Sequence, residues 1–279
     1  MQSDVASTVR MPGAGDVLAA HARLRRYLDA TPVHYAERFG CWLKLENLQR
    51  TGSYKVRGAL NALLAARERG DARTVIAASA GNHAQGLAWA GYRLRMPVIA
   101  VMPRCAPETK VAGVAHWGAT VRLHGDTYDE AKAFAIELAA QNGYRLLSAF
   151  DDPDVIAGQG TVGLEIAAAF TPDVVLVPIG GGGLAAGVSA AIKQLAPRVK
   201  VIGVEPVGAD AMKRSLEAGA PVTLDRVETL ADGLMPVRPG DLTFAHLKAF
   251  ADAVITVDDP SIVREMALAL QSQNELRHP

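Results

Sequence analysis

Short apolar runs alternate with stretches of helical periodicity along most of the chain. Val75–Ala78 reads as a buried strand and Asn82–Leu94 as a helix, followed by a strand at Val98–Met102 and a helix opening at Pro107 and Glu108. Thr120–Leu123, a long helix over Asp126–Gln141 and a short strand at Tyr144–Leu147 continue the alternation. It resumes with strands at Val174–Val177, Lys200–Val204 and Ala253–Val257, and helices at Leu184–Leu195, Met212–Ala218 and Ser261–Gln273. Near the front, Ala14–Leu28 predicts a helix and Cys41–Leu45 a strand. Strands that alternate with helices imply parallel pairing through right-handed crossovers, hence an α/β fold. The predicted layout is a small α/β domain (73–146) inserted into a larger one (1–72 and 147–279), with a ligand in the crevice between them.

Composition narrows the function. Lys plus Arg and Asp plus Glu number 29 each, so there is no basic excess to neutralise a nucleic-acid backbone. The two cysteines, Cys41 and Cys105, have neither a disulfide framework nor metal-ligand spacing. Met1–Gly15 lacks the apolar core of a signal peptide, and no apolar run is long enough to span a bilayer. The expectation is a cytoplasmic protein without nucleic-acid or membrane partners.

Three segments carry candidate chemistry. Gly180-Gly181-Gly182-Gly183-Leu184 joins a predicted strand to a predicted helix. Glycines let the backbone approach a ligand closely, and the helix start adds free N–H groups, which together suit a phosphate. The same run could also be only a tight turn, and it lacks the Lys-Ser/Thr ending of a P-loop. Ser79-Ala80-Gly81-Asn82-His83 follows the first small-domain strand and could direct N–H groups and a hydroxyl at a carboxylate. On spacing alone, Ser79 or Asn82 as a helix cap is the simpler reading, and His83 could be a satisfied structural histidine. Thr51-Gly52-Ser53 reads as a turn and cap, with Lys55 in the first turn of the helix that follows. A helix start carries positive potential and disfavours a cation, which suits a nucleophilic amine. The alternative is that Lys55 and Arg57 are solvated charges.

Taken together, the motifs Thr51–Ala59, Ser79–Gly86 and Gly180–Leu184 resemble the fold-type II pyridoxal-phosphate enzymes (tryptophan synthase β-like), in the threonine/serine dehydratase and serine racemase branch. Met102-Pro103, Ala106-Pro107, Lys110, His124–Tyr128 and Ala231-Asp232-Gly233 add to the likeness. The resemblance implies two open, mostly parallel sheets with flanking helices. It implies that Lys55 holds pyridoxal 5'-phosphate as a Schiff base and takes the Cα proton, with Tyr54 beside the ring. Asn82 would bond the ring hydroxyl and Gly180, Gly181, Gly182, Gly183 and Leu184 would hold the phosphate. Ser79, Ala80, Gly81, Asn82 and His83 would receive the carboxylate of a small amino-acid substrate.

The implied activity is an L-serine/L-threonine ammonia-lyase that makes the 2-oxo acid by α,β-elimination through an aminoacrylate. Lys55-Val56-Arg57-Gly58, where β-replacing relatives carry Lys-Asp-Arg, favours elimination. Hydroxyaspartate dehydration and serine racemisation are alternatives on the same scaffold, although Ala80 stands where the racemase branch carries an acid/base serine. No metal is assigned: Glu205-Pro206 and the Ala209 carbonyl are present, but Ala211 replaces an expected acid, with Asp210 one residue early. Relatives extend beyond the position of Pro279 with a segment facing the pyridine nitrogen, which raises a third alternative, a catalytically impaired cofactor-binding protein. A homo-oligomer, dimer or tetramer, and no feedback-regulatory domain are also expected.

Overall fold

The computed structural model describes residues 10–272, so the expected helix end at Gln273 and the outermost parts of both terminal segments lie outside the described residues. In chain order the elements are α1 (Ala14–Leu24), β1 (Val33–Ala36), β2 (Cys41–Lys44), α2 (Lys55–Glu68), β3 (Val75–Ala78), α3 (Asn82–Leu94), β4 (Val98–Met102), α4 (Glu108–Ala115), β5 (Thr120–Leu123), α5 (Tyr128–Asn142) and β6 (Arg145–Leu146). They continue with α6 (Pro153–Ala169), β7 (Val174–Pro178), α7 (Gly183–Leu195), β8 (Lys200–Pro206), α8 (Ala211–Ala218), α9 (Asp241–Phe250), β9 (Ala253–Val257) and α10 (Asp259–Ser272).

Two parallel sheets form, in the orders β5-β4-β3-β6 and β7-β8-β9, and β1 and β2 make a separate antiparallel hairpin. The α/β expectation therefore holds. In the first sheet β3 has β4 on one side and β6 on the other, so the loop at its carboxyl end lies where the strand order reverses. Ligands of open α/β sheets bind in that place. Among the described residues, no helix is long and apolar enough to cross a membrane.

Several predicted elements shift by a residue or two at their ends, as fraying termini do. Two helices were missing from the prediction altogether. In α6, residues 155–164 are buried without a break, so no polar stripe betrays a helical period. Its start was nevertheless written in the sequence: Pro153 opens it and Asp152 Oδ1 accepts from the amides of Asp154 and Val155 at 2.9 and 3.0 Å. The second, α9, is capped from afar by Asp151, whose carboxylate accepts from the amides of Asp241, Leu242 and Thr243.

The alternative of Arg57 as a solvated charge is overturned. Its side chain is 2 % exposed and lies between two carboxylates, bonding Glu46 at 2.7 and 2.8 Å and Glu165 at 2.6 and 2.9 Å. Thr161 Oγ1 also lies 3.2 Å from this guanidinium. Lys44 Nζ joins Glu165 at 2.6 Å, so two cations face two anions, and the Thr31 hydroxyl donates to Glu46. Burial alone would lower the arginine pKa, but the two carboxylates outweigh it and hold it above its usual value. Burial alone would raise the Glu165 pKa, and Arg57 and Lys44 hold it below the ordinary range instead.

Arg57→Ala is expected to destabilise the protein by about 3–5 kcal/mol, read by denaturant unfolding, because Glu46 loses its buried ion-pair partner and Glu165 keeps only Lys44. The sign with pH follows from the lowered Glu165 pKa. Its contribution is complete above the ordinary glutamate value and disappears as pH falls through the lowered one, so acid should erode the stability of the native chain more than that of the variant.

Candidate active site

The residues ahead of Lys55 form a left-handed turn, with Thr51 at φ 64° and Gly52 at φ 70°. A β-branched residue in this region is strained and needs its surroundings to hold it. The turn was expected, but the cap was not found. The hydroxyls of Thr51 and Ser53 are buried without a hydrogen-bond partner. The cap position of α2 is Tyr54, which makes no side-chain cap bond.

Lys55 is half-buried, and its Nζ donates to the Ala149 carbonyl at 3.1 Å and lies 5.5 Å from the Tyr54 ring centroid. That carbonyl ties it to the glycine loop. Phe150, the next residue, lies against Gly181, where any Cβ would strike its ring, and its Cα would be 2.9 Å from a Cβ at Gly183. Tyr54 packs on the apolar cluster that contains Ile179 and Leu184. Lys55, Tyr54 and Gly180–Leu184 therefore meet around the 149–150 segment.

Within the loop the left-handed residue is Gly182, at φ 95°. A Cβ there would also lie 2.8 Å from that of Thr243. Thr243 Oγ1 donates to the Gly181 carbonyl at 2.7 Å, so α9 braces the loop from behind. The first helical bond of α7 runs from the Ala186 amide to the Gly182 carbonyl at 2.8 Å. The amides ahead of it, Gly183 to Ala185, are buried donors that a helix start leaves without an internal acceptor. An anion is the partner such donors suit.

At the end of β3, Gly81 is the cap residue of α3 and makes no side-chain cap bond, so neither Ser79 nor Asn82 serves as the N-cap. The Ser79 hydroxyl instead accepts from the Gly81 amide at 3.3 Å. A Cβ on Gly81 would meet nothing within 4 Å, so the loop borders open space, with Ser79 and Ala80 half-buried and Asn82 exposed. His83 is different. It is 2 % exposed, and neither ring nitrogen has a hydrogen-bond partner, so it is not the satisfied histidine of the simpler reading. Burial, with a contribution from the Lys55 charge, pushes its pKa down to about 3. The helix carrying it sits close to Lys55, because a Cβ on Gly86 would be 2.9 Å from Val56 N and Cα.

The donor set suits a molecule with a carbonyl carbon for Lys55 and a phosphate for the start of α7. Glu205 is not free to join it, since its buried carboxylate accepts from the amides of Met212 and Lys213, each at 2.9 Å. Burial raises its pKa to about 7, against those bonds. Among the described residues no group of three or more His, Cys, Asp or Glu could hold a metal.

Ala149, Phe150, Asp151 and Thr243 were absent from the sequence reading. No local pattern marks them, because each acts on an element far along the chain. The motif residues Lys110 and Asp232 gain a place, as an ion pair of 3.0 Å between α4 and the 231–236 segment. That segment covers Gly180, with Leu234 Cα and Pro236 Cδ each 3.1 Å from where a Cβ would stand. A cavity of about 750 Å³ lies elsewhere, beside Tyr92 and Trp117.

Comparison with known proteins agrees with this geometry. The family described as "Pyridoxal-phosphate dependent enzyme" matches residues 24–275. The chain is 42 % identical to the L-threonine ammonia-lyase of Thermotoga maritima, over 92 % of this chain and 66 % of that protein. Its fold is similar to threonine deaminase isoform 2 of Solanum lycopersicum, with a TM-score of 0.84 and 39 % identity over 89 % of this chain and 72 % of the other. It is also similar to maize serine racemase, with a TM-score of 0.89 and 32 % identity over 93 % and 80 % of the two chains. The chain spans about half to two thirds of the length of several curated relatives it matches.

The glycine loop makes a direct prediction. Gly181→Val must displace Phe150, and with it the segment that holds Lys55. Affinity for pyridoxal phosphate should fall by about tenfold or more while the secondary structure is kept, read by cofactor titration beside circular dichroism. Unchanged affinity in a folded variant would mean that the glycines serve only the turn.

Proposed function

The chain belongs to the pyridoxal-phosphate-dependent enzyme family, and on that premise we propose that it is an ammonia-lyase acting on L-threonine or L-serine. The observation that carries the proposal is the meeting of Lys55 with the glycine-loop helix start, beside a loop that has an alanine at position 80. The names of relatives at 40–44 % identity support the same substrate class.

In this reading Lys55 Nζ is the attachment point, and the buried amides at the start of α7, with Gly180–Gly183, hold the phosphate. Tyr54 flanks the ring and Asn82 bonds its hydroxyl. The amides from Ser79 to His83 receive the substrate carboxylate at the mouth, and the His83 side chain, turned inward, does not reach it. When bound, the cofactor supplies the electron sink for the bond broken at Cα. With its amine free, Lys55 would take the Cα proton and pass it on, so that the β-hydroxyl would leave as water. Water is regained when the enamine product hydrolyses, so the sum is a 2-oxo acid and ammonia.

Racemisation is the second reading, favoured by the likeness to serine racemase. It needs a proton donor opposite Lys55. Ala80 has none, and a histidine with a pKa near 3 carries no spare proton at neutral pH. We also propose residues 73–146 as a domain inserted between 1–72 and 147–279, on the ground that β3 to β6 form a sheet of their own. A dimer or tetramer goes with the proposal, supported by the exposed Tyr35–Trp42 ring pair. A cytoplasmic location is supported by the two exposed free thiols.

The test is 2-oxo acid release from L-threonine, L-serine and hydroxyaspartate. Lys55→Ala should abolish both turnover and the borohydride-trapped cofactor adduct, and an adduct that persists on another lysine removes the assignment. Ala80 decides the partition. The native chain should give pyruvate from L-serine with little D-serine, and Ala80→Ser should raise the D-serine fraction with little change in cofactor affinity, measured by chiral chromatography. Abundant D-serine from the native chain would favour the racemase reading.

A further inference from the structure

The peptide between Gly181 and Gly182 has glycine on both sides, so no Cβ fixes which way it faces. It is nevertheless held one way. Its carbonyl accepts from Thr243 Oγ1 at 2.7 Å, with the Gly240 amide 3.5 Å from the same oxygen. The Thr243 hydroxyl also lies 3.1 Å from the Gly240 carbonyl, but its single proton serves the nearer acceptor. Thr243 is buried and fixed in turn, because its amide, with those of Asp241 and Leu242, donates to the Asp151 carboxylate.

In a trans peptide the C=O and N–H point to opposite sides. With the Gly181 oxygen turned onto α9, the Gly182 N–H is turned away from it. That amide is buried and has no acceptor among the described residues, and neither have those of Gly183 and Leu184 beside it. The first amides of α9 are already taken by Asp151, so of the two helix starts that meet here it is α7 that has donors left for an anion.

We propose that Thr243 is a positioning residue for the cofactor phosphate: its hydroxyl holds the Gly181–Gly182 peptide with the oxygen turned away from the phosphate and the Gly182 N–H turned toward it. This rests on the glycine loop being the phosphate seat. Without the hydroxyl only the long Gly240 contact opposes a flip of the peptide, and the flipped form sets a carbonyl oxygen against the anion where a donor stood.

The test compares pyridoxal phosphate with pyridoxal, which has the same aldehyde and no phosphate. Each is titrated into the full chain, stripped with hydroxylamine, and followed by the visible band of the lysine-bound form. Thr243→Val, close in shape but without the hydroxyl, should weaken pyridoxal phosphate about tenfold, the scale of one amide-to-phosphate hydrogen bond, and leave pyridoxal within about twofold. Thr243→Ser, which restores the hydroxyl, should recover most of the affinity. If the valine variant does not fold, Thr243→Ala carries the same comparison with serine. Equal pyridoxal phosphate affinity in the native chain and Thr243→Val, or a serine variant as weak as the valine one, would overturn the proposal. So would a parallel loss of both ligands in a folded variant, which assigns Thr243 to general support of the loop. A native chain that binds pyridoxal as tightly as pyridoxal phosphate would instead remove the glycine loop as the phosphate seat, and this proposal with it.

Discussion

The buried contact of Arg57 with Glu46 and Glu165 is the constraint on which the site depends. Arg57 lies two residues after Lys55, in the first turn of α2, and its partners come from the segment after β2 and from α6. Three pieces of chain, one of them 108 residues away, are thus held together by a planar group that bonds two carboxylates with directed geometry. Buried ion pairs contribute little net stability, since desolvation offsets most of their attraction. Here the gain is orientation: the helix cannot rotate without breaking several bonds to charged groups.

Around that anchor, close helix packing sets the depth of the site. Half of the buried residues of α2 are glycine or alanine, and α3 meets it at Gly86 without room for a side chain. α6 and α7 cross through Gly160 and Gly187, each of which leaves no space for a Cβ. The result is close backbone approach of α3 to the start of α2 and of α6 to α7. The Lys110–Asp232 pair then spans from α4 to the segment covering the glycine loop, and so joins the layers of the two sheets.

Several polar groups near Lys55 are left without a partner. Helix-start amides at Gly183–Ala185, the hydroxyls of Thr51 and Ser53, and the His83 ring would each lower stability if no partner ever arrived. Thr51 adds backbone strain beside them. Binding sites commonly trade stability for readiness in this way.

Much of this was legible in the sequence, for reasons that differ by residue. Strands such as Val75–Ala78 and Val98–Met102 were readable because a buried parallel strand is a short apolar run. The three loops stood out chiefly through the family resemblance of their motifs, since on spacing alone Ser79–His83 read more simply as a helix cap and Lys55 could be a solvated charge. What the sequence could not give was any relation between distant residues. Asp151 caps a helix that begins 90 residues later, and the Ala149 carbonyl holds the Lys55 amine across 94. Arg57 reads as a surface charge until Glu165 is brought to it, and His83 as a satisfied core residue until its surroundings prove to hold no partner. Composition and period report what a segment does with its own neighbours. Burial, partnership and the fate of a proton depend on which other segments pack against it, and that is decided only when the chain is folded.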